Sequence, residues 1–259
     1  MSKSGPDRVA IVTGGGAGIG REVSLTLAAS GTSVLAVDRN PEALDELMAL
    51  AKGTIIPLVA DLADKQTPDF IVNTCIEKFG RLDVLINNVG VGKAPTLLNT
   101  TDEDLDRFFD VNAKISFRMC RSAIPTMIKT GGGSIVNTVS ARTLTGYPGA
   151  AADAAAKSAI VGLTRQMAAE YGRDGIRVNA VAPGLTETPF THERIEQGFF
   201  DRAIETVPMG RVGQPQEVAN AVVFLSSEAA SFISGQILAI DGGWSATHFW
   251  RPLTPASPD

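Results

Sequence analysis

The sequence predicts one α/β domain built on a doubly wound parallel sheet of about seven strands, on three observations. Short runs rich in Val, Ile and Leu recur along the chain, and segments of 3.6-residue periodicity separate most of them. The runs do not alternate apolar with polar residues, as expected of strands covered on both faces. Repeated strand–helix units then give a parallel sheet.

The strand segments, in order, are RVAIV (8–12), SVLAV (33–37), TIIPLV (54–59), DVLIN (83–87), SIVNTV (134–139), RVNAVA (177–182) and QILAI (236–240). GREVSLTLAAS and PEALDELMALA carry the helical period after the first and second strands. Residues 184–211 are long and mixed in composition, which suits a mobile loop over a substrate. No repeat or linker divides the chain. Residues 8–246 read as one domain, 1–7 as a flexible arm and 247–259 as a Pro-rich tail.

Composition narrows the function. The chain is 44% hydrophobic and 20% charged, ordinary for a globular enzyme acting on a small molecule. A net charge of −5 argues against a nucleic-acid or anionic-membrane partner. Cys75 and Cys120 lie far apart with neither disulfide nor zinc spacing, so no metal site and a reducing compartment are expected. The first residues hold no apolar run long enough for a secretion signal or membrane span, which makes a cytoplasmic location the expectation.

VTGGGAGIGREV follows the first strand and opens the first helix. Gly14, Gly18 and Gly20, with Ile19 between the last two, permit a tight turn and a close backbone approach to a diphosphate at a helix N-terminus. Asp38 ends the second strand about 20 residues on, completing a Rossmann-like dinucleotide pattern. An acid there bonds a ribose 2′-hydroxyl and repels a 2′-phosphate, which points to NAD(H). The neighbouring Arg39 could hold that phosphate if Asp38 turns aside, so the residues lean to NAD(H) without excluding NADP(H).

With these go ADL (60–62), INNVG (86–90), VNA (111–113), IVNTVS (135–140), VAPG (181–184) and GQILAIDGG (235–243). Over residues 7–245 the chain resembles the short-chain dehydrogenase/reductase family. The resemblance implies that Asp61 and Leu62 contact adenine and that Asn88 and Gly90 line the cofactor ribose. It implies that Thr186 and Thr188 lie near nicotinamide or diphosphate, and that the protein is a homo-oligomer, dimer or tetramer, built through helices beginning near Asn112 and Ala151. The family's catalytic set is Asn, Ser, Tyr and Lys. Asn112, Ser140 and Lys157 match it, Lys157 also serving the cofactor, but Asp153 occupies the Tyr position in DAAAK.

Reducing a carbonyl makes an alkoxide that must take a proton as it forms. At a reference pKa of about 3.9, a carboxyl holds its proton in roughly one molecule per thousand at pH 7, so recruiting the acid form costs roughly 4 kcal/mol. Lys157, one helical turn away, favours the ionised form further, whereas burial would push the other way, and without burial ordinary ketone reduction is impaired. A cationic acceptor reverses the argument. An iminium that gains hydride becomes a neutral amine without a proton in that step, and a fixed carboxylate stabilises the cation.

One branch of the family is similar in this departure: the fungal bifunctional reductase/Diels–Alderases of paraherquamide- and malbrancheamide-type indole alkaloid assembly. That branch is associated with an Arg on the preceding helix, for which Arg118 is the candidate. The resemblance implies NADP(H), a prenylated, dipeptide-derived zwitterionic iminium, and an intramolecular [4+2] cycloaddition after its reduction. Two other readings stand beside it. One is a carbonyl/alcohol dehydrogenase with a non-Tyr proton donor. The other is a catalytically silent nucleotide-binding scaffold in which Asp153–Lys157 is a structural i,i+4 pair. Arg118 reads equally as a solvated or interface residue. Tyr147 reads as a pocket wall or substitute donor, and His192 as an exposed loop residue. Trp244, Phe249 and Trp250 read as pocket closure or subunit packing.

Overall fold

Alternate side chains of the first strand leave the sheet on opposite faces, and both faces are dry. Val9 and Ile11 join one apolar core, while Ala10 and Val12 join another, all four fully buried. The computed structural model describes residues 8–92, 94–192 and 203–247.

The strands are β1 (Val9–Thr13), β2 (Ser33–Asp38), β3 (Ile55–Val59), β4 (Val84–Asn87), β5 (Gly133–Thr138), β6 (Ile176–Pro183) and β7 (Ile237–Ile240). Each lies within one residue of its sequence expectation. They form one parallel sheet in the order β3-β2-β1-β4-β5-β6-β7. The helices are α1 (Gly18–Ala29), α2 (Pro41–Leu50), α3 (Thr67–Phe79), α4 (Asp102–Phe109), α5 (Ile115–Thr130), α6 (Ala151–Tyr171) and α7 (Pro215–Ser226).

Helices cover both faces. Ile71 of α3, Met119 and Met127 of α5 and Met167 of α6 pack on the side of Val9 and Ile11. Val23 of α1, Leu47 of α2 and Val222 of α7 pack on the side of Ala10 and Val12. The edge strand β3 departs from the two-face rule: after the buried Ile55 its residues are half-buried or exposed, and it carries Pro57, which an edge tolerates because one side of its ladder is open.

Two features position the site. Strand order reverses between β1 and β4, which opens a crevice at their C-terminal ends. Between α4 and α5, residues Asp110–Lys114 form one wide π turn, which carries the buried Asn112. Residues 1–7, 193–202 and 248–259 fall outside the described residues, and with them the expected arm, the middle of the 184–211 loop, and Phe249 and Trp250.

Candidate active site

A cavity of about 520 Å³ opens at the β1/β4 crevice. Gly14, Gly18, Ile19, Asp38, Arg39, Asp61, Leu62, Asn88, Gly90, Thr186 and Thr188 all line it, as do Ser140, Asp153 and Lys157. Of the residues singled out in the sequence, Gly20, Asn112, Arg118 and His192 do not.

The turn after β1 is built for close approach. Gly14 and Gly18 adopt φ of 63° and 52°, in the left-handed region that glycine alone enters freely. Gly20 serves packing rather than contact: a Cβ there would sit 1.9 Å from the Gly14 carbonyl oxygen. Ala17 gives α1 no side-chain cap, leaving its first N–H groups for an anion. Asn88 donates from Nδ2 to the Gly14 carbonyl (3.3 Å), joining the turn to the end of β4. A Cβ on Gly90 would meet Lys157 Nζ at 3.0 Å, so a glycine lets that ammonium pass. These features fit a nicotinamide dinucleotide.

Asp38 is not turned aside. Its Oδ2 accepts from Gly16 N and its Oδ1 from Asn40 N, both at 3.1 Å. Arg39 is exposed at the cavity edge.

At the other end stands the departure from the family pattern. Asp153 and Lys157, one turn apart on α6, are each 7% exposed. Asn112 donates from Nδ2 to Asp153 Oδ1 (2.9 Å) and to the Val91 carbonyl (2.8 Å), and its Oδ1 accepts from Val91 N (2.7 Å). Asn112 does not line the cavity itself but holds two residues that do, Val91 and Asp153. Lys157 Nζ donates to the Thr138 carbonyl (2.9 Å). Burial pulls the Lys157 pKa below the ordinary lysine value, opposed in part by the Asp153 charge. Ser140 caps a short turn, its hydroxyl accepting from Arg142 N at 3.3 Å, and lines the cavity.

The arginine at the site is not the one expected from the sequence. Arg118 lies outside the cavity, a helical turn beyond Ile115, which lines it. Its charge acts on Asp110, whose pKa is lowered first by the Lys114 hydrogen bond and to a lesser degree by Arg118. Arg142 stands at the site instead. Its Nη1 lies 3.8 Å from Asp153 Oδ2, and its guanidinium sits over the Tyr147 ring, 4.8 Å from the centroid. Tyr147 in turn meets Trp244 at 5.8 Å, so both aromatics are walls of the cavity. Nothing in the aperiodic stretch SARTLTGYPG announces Arg142; only the return of the chain into α6 brings it to Asp153.

A family model described as enoyl-(acyl carrier protein) reductase matches residues 14–245. The chain is a short-chain dehydrogenase/reductase. Among its relatives in this family, the 3-oxoacyl-acyl-carrier-protein reductase of Thermotoga maritima is 38% identical over 91% of this chain and 97% of its own. The 2,5-dichloro-2,5-cyclohexadiene-1,4-diol dehydrogenase of Sphingobium indicum is 40% identical over 91% and 96%. The crystal structure of levodione reductase matches with TM-score 0.90 at 35% identity, covering 94% of this chain and 99% of that one. A solved structure from Agrobacterium tumefaciens with bound NADP matches with TM-score 0.85 at 33% identity, over 93% and 98%.

This short-chain dehydrogenase/reductase is therefore an oxidoreductase of a family that uses NAD(P)H on small molecules. Its relatives named here are bacterial enzymes of alcohols and ketones, and none bears the description of the fungal alkaloid branch. The expected branch membership receives no support from them, and Arg118, half of the argument for it, lies away from the cavity. No helix among the described residues is long and apolar enough to cross a membrane.

Proposed function

We propose that the protein is an NAD(H)-dependent oxidoreductase working at a carbon–nitrogen centre, interconverting an iminium ion and its amine. The observation that carries this reading is the Asp153 carboxylate on the cavity wall, gripped by Asn112 where the family has a phenol. The bound cofactor supplies hydride, and an iminium that accepts it becomes a neutral amine that requires no proton.

The chain's residues have distinct parts in this reading. Asn112 orients Asp153, while the positive charge of Arg142 stands 3.8 Å from its other oxygen and complements a carboxylate there. In a wall this dry, the anion attracts a cationic acceptor more strongly than it would in water. Lys157 is anchored on Thr138 beside Gly90, where it would reach the cofactor ribose. Asp38 faces the glycine turn with both oxygens engaged, which favours a free 2′-hydroxyl and thus NAD(H) over NADP(H). Among the described residues no feature of the cavity is specific to a cycloaddition, and the proposal stops at the redox step.

A second reading keeps the chemistry of the relatives: a ketone/alcohol dehydrogenase whose proton comes from Lys157. Its support is the lowered pKa of that buried ammonium on the cavity wall, together with the activities of the relatives. Steady-state turnover of matched cyclic iminium and cyclic ketone substrates with NADH separates the two. Iminium turnover at least 10²-fold above ketone turnover is expected, from the size of a missing general acid. Ketone turnover at parity would establish the second reading. Tight NADH binding with neither turnover would leave a nucleotide-binding scaffold.

A further inference from the structure

We infer that Arg142 is a receptor for a carboxylate on the substrate, so that the natural substrates are small organic acids bearing the hydride acceptor on the adjacent carbon. The inference rests on the cavity being the substrate site and deepens the reading above, where it specifies an α-imino acid. Should the acceptor be a carbonyl, the Arg142 contact alone carries over, to the carboxylate of an α-keto acid.

Arginine carries five N–H donors in a planar fork that matches a carboxylate. Among the described residues, the Arg142 guanidinium makes no hydrogen bond: Asp153 Oδ2 stands at 3.8 Å, beyond hydrogen-bond reach. The group is nevertheless held in place. Its backbone N–H is tied to Ser140, Tyr147 lies beneath it, and Trp244 braces Tyr147. A pre-positioned cation with unspent donors on a cavity wall is a binding site for an anion.

The neighbouring charge selects which anion. Asp153 beside Arg142 repels a doubly charged phosphate, whereas a singly charged carboxylate can satisfy one guanidinium fork. The pair also forms a fixed dipole, positive at Arg142 and negative at Asp153, across 3.8 Å. An iminium nitrogen and a carboxylate on adjacent carbons form a dipole of similar span. Laid antiparallel, the substrate sets its cation on Asp153 and its anion on Arg142.

Competition binding to the NADH-loaded protein tests this without turnover, using pyrrole-2-carboxylate and pyrrole-2-carboxamide as inert planar probes. The carboxylate is expected to bind at least tenfold tighter than the amide. Arg142→Met abolishes that preference while leaving NADH affinity unchanged, Arg142→Lys retains part of it, and Asp153→Asn strengthens carboxylate binding by removing the competing anion. Equal binding of the two probes to the wild type overturns the inference, as does an equal loss of both in Arg142→Met. Should Arg142→Met fail to bind NADH, the wild-type preference and Arg142→Lys decide alone. Ketone turnover without iminium turnover would defeat the carbon–nitrogen reading and leave the probe preference standing, so the two failures are distinguishable.

Discussion

The Asn112 side-chain amide donates to Asp153 Oδ1 at 2.9 Å while its own oxygen accepts from Val91 N at 2.7 Å. The second contact fixes the first. Reversing the amide would set its oxygen against both the Val91 carbonyl and the Asp153 carboxylate, and its NH₂ against an N–H donor. The π turn at Asp110–Lys114 brings this amide to the carboxylate from a different element, so Asp153 is aimed by the fold and not by its own helix alone.

Removing that grip should slow turnover with little effect on cofactor binding. Asn112→Ala is expected to lower kcat on the order of 10²-fold, the scale of a small misplacement of a reacting group. NADH titration followed by fluorescence should give an unchanged Kd. A variant with near-normal kcat would mean that the position of the carboxylate is immaterial.

Asp153→Tyr restores the proton donor that the family pattern carries. Ketone turnover is expected to rise by roughly 10²–10⁴-fold, the range of a positioned general acid, and iminium turnover to fall. Rates with paired substrates check this. No gain on ketones would indicate that other residues of the cavity have diverged from carbonyl chemistry as well.

Asp38→Ser removes the acid that engages Gly16 and Asn40 and leaves the exposed Arg39 beside the ribose position. The ratio of NADPH to NADH affinity should rise at least tenfold, about 1.4 kcal/mol. Parallel cofactor titrations read it directly. An unchanged ratio would remove Asp38 as the selector.

Gly20→Ala tests the turn mechanically. Its Cβ would lie 1.9 Å from the Gly14 carbonyl oxygen, so the helix or the turn must move. A loss of about 1–3 kcal/mol is expected from such overpacking, seen as a fall in Tm together with weaker dinucleotide binding. The same substitution at Gly146, with open space around it, should be silent in Tm.

Both thiols should be chemically quiet in the native state. Burial raises the Cys75 and Cys120 pKa values to about 12, with the Asp83 charge adding to the rise at Cys75. At pH 8 a thiol-disulfide reagent should titrate neither until the protein is unfolded, when both react. Fast labelling of the folded protein would show that the cores around α3 and α5 open readily.

The fold was legible because its strands are buried on both faces and therefore read as unbroken apolar runs. RVAIV needs no tertiary knowledge to be placed at the centre of a sheet. The cofactor cradle was legible because glycine spacing carries its own geometry: Gly14 and Gly18 adopt positive φ where the pattern asks for it. Arg118 and Arg142 mark where reading along the chain stops working. Helical counting from Asn112 toward Arg118 crosses a π turn whose wider register leaves no trace in hydrophobic periodicity. Arg142 lies eleven positions before Asp153 in a stretch without periodicity, and becomes its neighbour only through the path between β5 and α6.

Both amide atoms of Asn112 are clamped to the backbone of Val91, whatever side chain stands opposite. The remaining N–H is thus presented to position 153 as a standing offer, equally good for a phenol or a carboxylate oxygen. Residue 153 behaves as an interchangeable bit in a fixed chuck: a new reaction can be fitted by one codon change while the holder goes on turning as before.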